Sequence, residues 1–532
     1  MRLKPALIAL FVSWSSVLPL VAATSMPADP ATGVTKAVEG PAKEAMEAFK
    51  DGRHAKAVEL AKPLAEQGNA DALYLMGFAH ESGKGVEASR DKALEFYKKA
   101  AATGQKDATY RMSFILLASE EEKERTQGRE ALEGAAKGDP AVAGRILGEA
   151  WLKGRLSKEP DFDKALFWWS SAADAGDQPS LLLLARLYEG QFGFPEKKDI
   201  TKAMNTYRKA AGLGDAGAMV ALGSRLLNGP EAQRNEKEGR EWLKKATDAK
   251  EYSAYLALGD FEENVKKDPK AALETYRKGD DAGQVDCTLR TAQAYLDGKG
   301  TEKDEERGIK LLEKSATAGS AAAHLRLAVL RLQGEKPDYM VGYGHLLSAA
   351  NGGLVEGQNE LALLYLSGKL GVADVAAAAA WLTRAAQGGY APAQNNLATM
   401  FERGAGVPQN YANAGQLYSL AANQGNGPAT LALARMHAQG LGTKEDLPKA
   451  WALATLAGER EQEDGVKLAK ELDAKFTAEQ KVEAQKALKE IKSDKPAETS
   501  GTDKKSPKPT TAVTPPVSIP ETPAPAKPAP KK

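Results

Sequence analysis

The chain has 532 residues, with 72 Lys plus Arg against 71 Asp plus Glu and a formal net charge of +1. This balance provides no overall attraction for nucleic acid or for acidic substrates, so neither is predicted as a partner. Cys287 is the single cysteine, which excludes an intramolecular disulfide framework.

The first 23 residues have the three parts of a secretory signal peptide. Arg2 and Lys4 give a positive start, Ala6 to Leu18 form an apolar stretch, and Val21-Ala22-Ala23 is a small-residue cleavage site. We therefore expect cleavage before Thr24 and a periplasmic or secreted protein. An uncleaved anchor is the alternative, but the stretch is short for a span of roughly 20 apolar residues. No cysteine follows the cleavage site, so no lipid anchor is expected there.

A block of similar sequence dominates the rest of the chain. Residues 24–43 are predicted as a linker and residues 44–69 as capping helices, and the block then recurs eleven times over residues 70–458. Its length of 33 to 38 residues is typical of helix-pair solenoids. One such unit cannot bury its apolar face alone, so the units are expected to stack and to leave a long surface for contacts.

The block at 71–104 shows the expected elements. Ala72 to His80 is predicted as a first helix, with small residues at its centre where a partner helix approaches closely. Ser82-Gly83-Lys84-Gly85 is predicted as a turn whose glycines take a positive φ. Lys92 to Ala101 follows as a second helix, and Gly104 closes the block in a position that suits a left-handed cap.

These residues closely resemble the Sel1-like repeat, a subfamily of tetratricopeptide-type helical repeats. The pattern is Ala, then Leu-Gly, an aromatic residue, Gly-x-Gly-Val, and Lys-Ala-x-x-Trp/Tyr-x-x-Lys-Ala-Ala, and the similarity spans about residues 44–492. The resemblance implies an all-α protein, a right-handed α/α superhelical solenoid of TPR-like helix pairs. Two blocks depart from the pattern, because 105–138 and 251–283 lack the glycine turn.

The chain is predicted to end in two further helices and a tail. Residues 459–492 are expected to form C-terminal capping helices with a polar outer face. The final 40 residues hold ten prolines and seven lysines, which predicts a disordered, extended and weakly basic tail over 493–532. This tail is a candidate to contact the cell wall or an anionic surface, as a tether, a spacer or a binding segment.

The histidines, the cysteine and one serine motif give little sign of chemistry. No two histidines share a metal-ligand spacing such as H-x-x-x-H, and His80 and His437 fall where other blocks have aromatic residues. Ser89-Arg90-Asp91-Lys92 matches the S-x-x-K of serine acylating enzymes but also starts a second helix. Cys287 stands where other blocks have alanine, which indicates a packing role. We predict no catalytic residue, no cofactor and no metal site.

The candidate partner-binding residues lie three positions after the small residue that starts each first helix. The resemblance implies that first helices line the concave side, and this position is expected to face the groove. Polar residues there, together with the amide next to one of them, have fixed donors and acceptors for an extended peptide backbone. The candidates are Arg111, Arg290, Arg326, Glu360, Asn395 and Asn396.

The leading interpretation of function is a non-enzymatic scaffold or adaptor of the bacterial cell envelope. The resemblance implies protein or peptide partners along the concave surface, and no membrane-spanning segment is expected after signal removal. The alternative is an envelope enzyme or ligand-binding protein that acts on cell-wall or β-lactam-like compounds, although such relatives are typically rich in paired cysteines. A third interpretation makes the solenoid a spacer and assigns the function to the tail.

Overall fold

The computed structural model of the protein describes residues 40–157, 159–333 and 336–493, and the predicted signal peptide and almost all of the predicted tail lie outside this part. The described residues form helices and turns, with no strand among them. Among these residues, short 3-10 helices occur at Pro195–Lys197 and Glu231–Gln233. The α-helices, α1 to α26 in chain order, are Lys43–Lys50, His54–Glu66, Ala70–Ser82, Arg90–Ala102, Lys106–Leu117, Glu122–Ala136, Pro140–Leu152, Phe162–Asp174, Gln178–Tyr188, Ile200–Gly212, Ala216–Asn228, Glu236–Asp248, Ser253–Asn264, Pro269–Asp281, Val285–Asp297, Glu305–Thr317, Ala321–Gln333, Tyr339–Asn351, Val355–Leu366, Val375–Gln387, Ala391–Arg403, Tyr411–Asn423, Gly427–Gln439, Leu447–Glu459, Glu463–Asp473 and Ala478–Ser493.

The helices belong to two compact units. The first ends at Ala257 and the second begins at Leu258, so the boundary falls inside α13. Each helix from α1 to α11 and from α14 to α24 packs against the next one along the chain, and α26 packs against α24. In most repeats the first and second helices form the most extensive contacts. The prediction of an all-α protein built from stacked helix pairs is confirmed. The eleven predicted repeats correspond to the helix pairs from α3 and α4 to α23 and α24.

Side-chain caps begin most of these helices. Asn69 accepts a hydrogen bond from the amide of Ala72 at the start of α3, and Ser89 accepts one from the amide of Lys92 at the start of α4. Such a cap stabilises a helix by about 1 kcal/mol because it satisfies an amide that has no partner within the helix. Ser89 of the S-x-x-K motif is therefore a helix cap.

The glycine turns take the predicted positive φ and also contact the preceding helix pair. Gly83 ends α3 with φ 69°, and Gly85 follows with φ 80°. A β-carbon at Gly85 would lie 2.5 Å from the carbonyl oxygen of His54, the first residue of α2. Gly300 has the same relation to Pro269, the first residue of α14. The second glycine of the turn is thus required both by its φ and by this close approach.

Two buried positions recur in every repeat and form its core. We call the small residue near the start of each first helix the anchor: Ala72, Ala108, Ala143, Ser180, Ala218, Ala254, Cys287, Ala323, Gly357, Ala393 and Ala429, all buried. We call the buried large residue of each second helix the inner residue: Tyr97, Leu132, Trp169, Tyr207, Leu243, Tyr276, Leu312, Leu346, Leu382, Tyr418 and Leu453. Cys287 is a fully buried free thiol, in keeping with its predicted packing role.

Candidate functional site

The position three residues after the anchor differs between repeats in exposure. Leu75, Arg111, Ile146 and Leu183 are all buried there, with Arg111 only 4% exposed. The prediction that this position faces an open groove is therefore wrong for Arg111, and the physical reason is an acidic partner in the preceding repeat.

Arg111 joins its repeat to the one before it. Its guanidinium lies 3.2 Å from the carboxylate of Glu81, donates to the hydroxyl of Tyr74 and stands over the ring of Phe78. Tyr97 donates a hydrogen bond of 2.5 Å to the same Glu81 carboxylate. Burial raises the pKa of the Tyr97 hydroxyl far above its usual range, and the charge of Glu81 adds to this effect. Tyr97, Glu81 and Arg111 thus form a hydrogen-bonded cluster at the contact between two successive repeats.

Arg290 takes part in a similar contact in the second unit. Its guanidinium lies 3.5 Å from Asp260 on α13, and Tyr276 donates to both Asp260 and Glu263. Burial raises the pKa of the Asp260 carboxyl, while the charge of Arg290 and the hydrogen bond from Tyr276 oppose that shift. Arg290 is partly exposed, so it is more accessible than Arg111.

Three other predicted residues come together on neighbouring first helices of the second unit. The side-chain nitrogen of Asn396 on α21 donates to the side-chain oxygen of Asn359 on α19 at 3.0 Å. Asn359 donates in turn to Glu360 at 3.1 Å, and Asn395 donates to the oxygen of Asn396 at 3.4 Å. We call the partly exposed Glu360, Asn395 and Asn396, together with the buried Asn359, the amide surface. Asn359 was missed by sequence reasoning, because it sits one position before the predicted one.

Glu360 is the charged member of the amide surface. Burial raises the pKa of its carboxyl above the usual range, and the hydrogen bond from Asn359 opposes the shift only in part. A carboxylate in this setting is stabilised by any further donor or cation that reaches it. Arg326 lies on α17, the first helix of the preceding repeat, and is partly exposed without an ion pair to a described residue.

The polar side of α21 continues beyond the amide surface. Thr399 lies one turn after Asn395 and makes a hydrogen bond of 2.9 Å with the hydroxyl of Tyr418. Tyr418 also donates to Glu402 at 2.6 Å. Asn395, Thr399 and Glu402 follow the i, i+4, i+7 spacing that places side chains on one side of a helix. The second unit therefore presents a row of polar groups along one first helix.

Two histidines far apart in sequence meet in the second unit. Nδ1 of His324 on α17 lies 3.0 Å from Nδ1 of His345 on α18. Burial lowers the pKa of both rings, and the neighbouring positive charges lower that of His345 further. The search for metal-ligand spacings could not find this pair because its members belong to different helices. In the described part of the chain no group of three or more metal-ligating side chains occurs.

A cavity of about 540 Å³ lies among α22, α23, α24 and α26. Its apolar lining includes Met436 and Leu453, and its polar lining includes His437, Lys449 and Arg460. None of the described residues that line it is a carboxylate. Burial lowers the pKa of His437, and the positive charge of Lys449 lowers it further. His437 fills the aromatic slot of its repeat, as expected.

None of the helices in the described ranges has the length and apolar character needed to span a bilayer.

Comparison with known proteins gives one curated relative and several solved structures. Chitin synthase regulator SKT5 of Saccharomyces cerevisiae is 27% identical over 241 residues, which are 42% of this chain and 34% of that protein, so the chain spans about a third of its length. The structure of c5321, a protective antigen of uropathogenic Escherichia coli, is 23% identical, covers 82% of this chain and 95% of its own, and has a TM-score of 0.34. A Sel1 repeat protein of Oxalobacter formigenes is 24% identical over 61% of this chain and 93% of its own, with a TM-score of 0.40.

Family models match most of the repeat region. The model of plant tetratrico peptide repeats matches residues 53–143. The Sel1 repeat model matches eight stretches that together cover more than half of the chain, namely residues 146–177, 179–215, 216–250, 285–320, 321–354, 355–390, 391–426 and 427–461. Repeats of these kinds generally mediate contacts between proteins and are typically not catalytic. The chain belongs to the Sel1 repeat family.

Proposed function

We propose that this protein is a non-enzymatic adaptor of the bacterial cell envelope that binds a partner protein or peptide along the amide surface. The observation that carries the proposal is the hydrogen bond between Asn396 and Asn359, which links the polar groups of two neighbouring first helices. A peptide in extended conformation offers one N–H and one C=O per residue, and side-chain amides can pair with both. Family membership supports the choice of a protein partner.

The envelope location is supported by the amino-terminal sequence. Arg2, Lys4, the apolar stretch and Val21-Ala22-Ala23 have the order of a secretory signal. Expression of the full chain in a Gram-negative bacterium, followed by fractionation and amino-terminal sequencing, tests this. We expect a periplasmic protein that begins at Thr24, and a cytoplasmic protein that retains Met1 would contradict the proposal.

Affinity capture from envelope extracts tests the binding function. The full mature chain is compared with the double variant Asn395→Ala/Asn396→Ala and with a chain that lacks residues 493–532. We expect the double variant to retain at least fivefold less of the captured partner, since each hydrogen bond to a partner contributes about 1 kcal/mol. We expect the tail deletion to retain it fully. Asn413→Ala is the control, because this residue is exposed on α22, away from the amide surface.

The two variants separate the proposal from its rival. If the tail deletion abolishes capture and the double variant does not, the binding segment is the tail and the solenoid is a spacer. If no partner is retained by any form of the chain, the adaptor function is contradicted.

A further inference from the structure

Four repeats share a pair of residues that the other seven lack. A glutamate stands nine residues after the anchor in the repeats that have Tyr as the inner residue. The carboxylate of this glutamate accepts a hydrogen bond from the tyrosine hydroxyl. The four pairs are Glu81 with Tyr97, Glu189 with Tyr207, Glu263 with Tyr276, and Glu402 with Tyr418. In the other repeats the place of the glutamate is taken by Leu117, Leu152, Leu227, Leu296, Leu332, Leu366 and Ala438.

In three of the four repeats a cation of the next repeat neutralises the carboxylate. Arg111 lies 3.2 Å from Glu81, and Arg225 makes a two-pronged contact with Glu189. In the third repeat Lys299 lies 3.7 Å from Glu263. A carboxylate that is partly removed from water requires such a cation or several donors, because desolvation disfavours the unpaired charge.

Glu402 lacks the cation that the other three have. Its Oε2 accepts the hydrogen bond from Tyr418, and it forms no ion pair with any described residue. Arg111 and Arg225 lie three and seven residues after their anchors, and the same positions on α23 hold Ala432 and Met436. Arg435, the cation nearest to them in sequence on α23, pairs with Asp464 at 3.0 Å. The Glu402 repeat thus keeps the carboxylate and the tyrosine while a methyl group stands where a guanidinium would be.

We propose that Glu402 and Ala432 form a binding site for a lysine or arginine side chain of the partner protein. The partner's cation takes the place that Arg111 takes beside Glu81, while Tyr418 continues to donate to the other oxygen. Asn395 and Thr399 lie on the same side of α21, so a peptide on the amide surface runs toward Glu402. The inference rests on the proposed function and adds the chemistry of one contact to it.

A peptide selection tests the site with a defined probe. A phage-displayed library of random seven-residue peptides is selected on the full mature chain, and the enriched peptides are synthesised. We expect one position to be dominated by Arg or Lys, and its replacement by Gln to weaken binding roughly fivefold, the value of a favourable partly exposed ion pair. Glu402→Gln and Ala432→Arg should each abolish this fivefold difference while still binding the Gln peptide.

Three outcomes would contradict the proposed cation site, and one of them would also contradict the proposed function. Equal binding of the Arg and Gln peptides to the wild-type chain contradicts the proposal, as does a fivefold difference that persists in Glu402→Gln. A library that yields no binding peptide contradicts the proposed function as well, so the two failures are distinguishable.

A second measurement needs no ligand. Ala432→Arg supplies the missing guanidinium within the chain, so we expect it to raise the thermal unfolding midpoint of the wild type by a few degrees. The same substitution should not raise the unfolding midpoint in the Glu402→Gln background. Ala432→Met is the control for added bulk, and an equal effect of Met and Arg would overturn the assignment of Glu402 as a cation site.

Discussion

The hydroxyl of Tyr207 donates a hydrogen bond of 3.1 Å to Glu189, whose side chain is only 8% exposed. Arg225 of the next repeat supplies the positive charge for the same carboxylate. Replacing Arg225 by Met leaves the buried Glu189 carboxylate without a cation, so we expect a loss of about 3 kcal/mol in the free energy of unfolding. Urea denaturation at pH 7 measures this.

Tyr207→Phe is the matched comparison for Arg225→Met. It removes one hydrogen bond and leaves the ion pair in place, so we expect it to cost about 1 kcal/mol. Equal losses for the two variants would show that neutralisation of the Glu189 charge is not the main contribution of Arg225 to the free energy of unfolding.

Gly148 illustrates the close approach of the two helices of a repeat. A β-carbon there would lie 2.4 Å from Cδ1 of Trp169, whose ring is fully buried. We expect Gly148→Ala to lower the free energy of unfolding by about 1 to 3 kcal/mol, because the ring must move within a packed core. Gly134→Ala on α6 is the control, since a β-carbon there meets no atom within 4 Å. It should stabilise the protein by up to about 1 kcal/mol through helix propensity.

Glu360 should make stability depend on pH. Burial raises the pKa of its carboxyl in the folded protein, so the folded state holds the proton more tightly than the unfolded state. The resulting stabilisation is full below the ordinary carboxyl pKa of about 4.3 and is lost as pH rises through the raised value. Glu360→Gln should therefore melt at the same temperature as the wild type at pH 4 and at a higher temperature at pH 7.5.

Glu95→Gln provides the control for Glu360→Gln. The hydrogen bond and charge of Lys99 lower the pKa of the exposed Glu95 carboxyl, so this substitution should be nearly neutral and, where measurable, destabilising at pH 7.5. A stabilising effect of both substitutions would point to overall charge and not to burial of Glu360.

Cys287 should be unreactive in the folded protein. Burial raises the pKa of its thiol to about 12, and the side chain has no exposed surface. Since the thiolate is the reactive form, we expect a disulfide reagent at pH 8 to label the protein only after addition of denaturant. Cys287→Ala should cost about 1 kcal/mol or less, as alanine is the usual anchor. Labelling within seconds under native conditions would contradict the packing role.

The sequence allowed the repeated features of the fold to be predicted. Helix pairs, positive-φ glycine turns and the anchor role of Cys287 all follow from periodicity, since the same physical demand recurs in each repeat. The sequence did not allow the surroundings of Arg111 and Asn396 to be predicted. These two residues occupy the same position of the repeat but have different neighbours. Their surroundings depend on the residue nine positions after the anchor of the preceding repeat. For Arg111 this residue is Glu81, which forms an ion pair with the buried guanidinium, and for Asn396 it is Leu366, which cannot form a hydrogen bond through its side chain.

The same reasoning applies to the candidate site. Asn359 and Glu402 were not predicted as site residues because each is part of the candidate site through a hydrogen bond with another helix. Asn359 bonds with Asn396, and Glu402 bonds with Tyr418. A search for motifs along one helix is blind to such pairs. His324 and His345, 21 residues apart, were missed for the same reason.

The contact between the glycine turn and the preceding helix pair determines at which loops residues can be inserted. Gly85, Gly300, Gly406 and Gly442 each pack on the first residue of the preceding second helix, always 31 positions earlier, at His54, Pro269, Val375 and Tyr411. In all four cases successive second helices start 36 residues apart. The same spacing occurs at two other places among the described helices, and the remaining distances range from 32 to 40 residues. Insertions and epitope tags should therefore be accepted between α7 and α8 or between α9 and α10, and a single extra residue in a glycine turn should shift the next helix out of register.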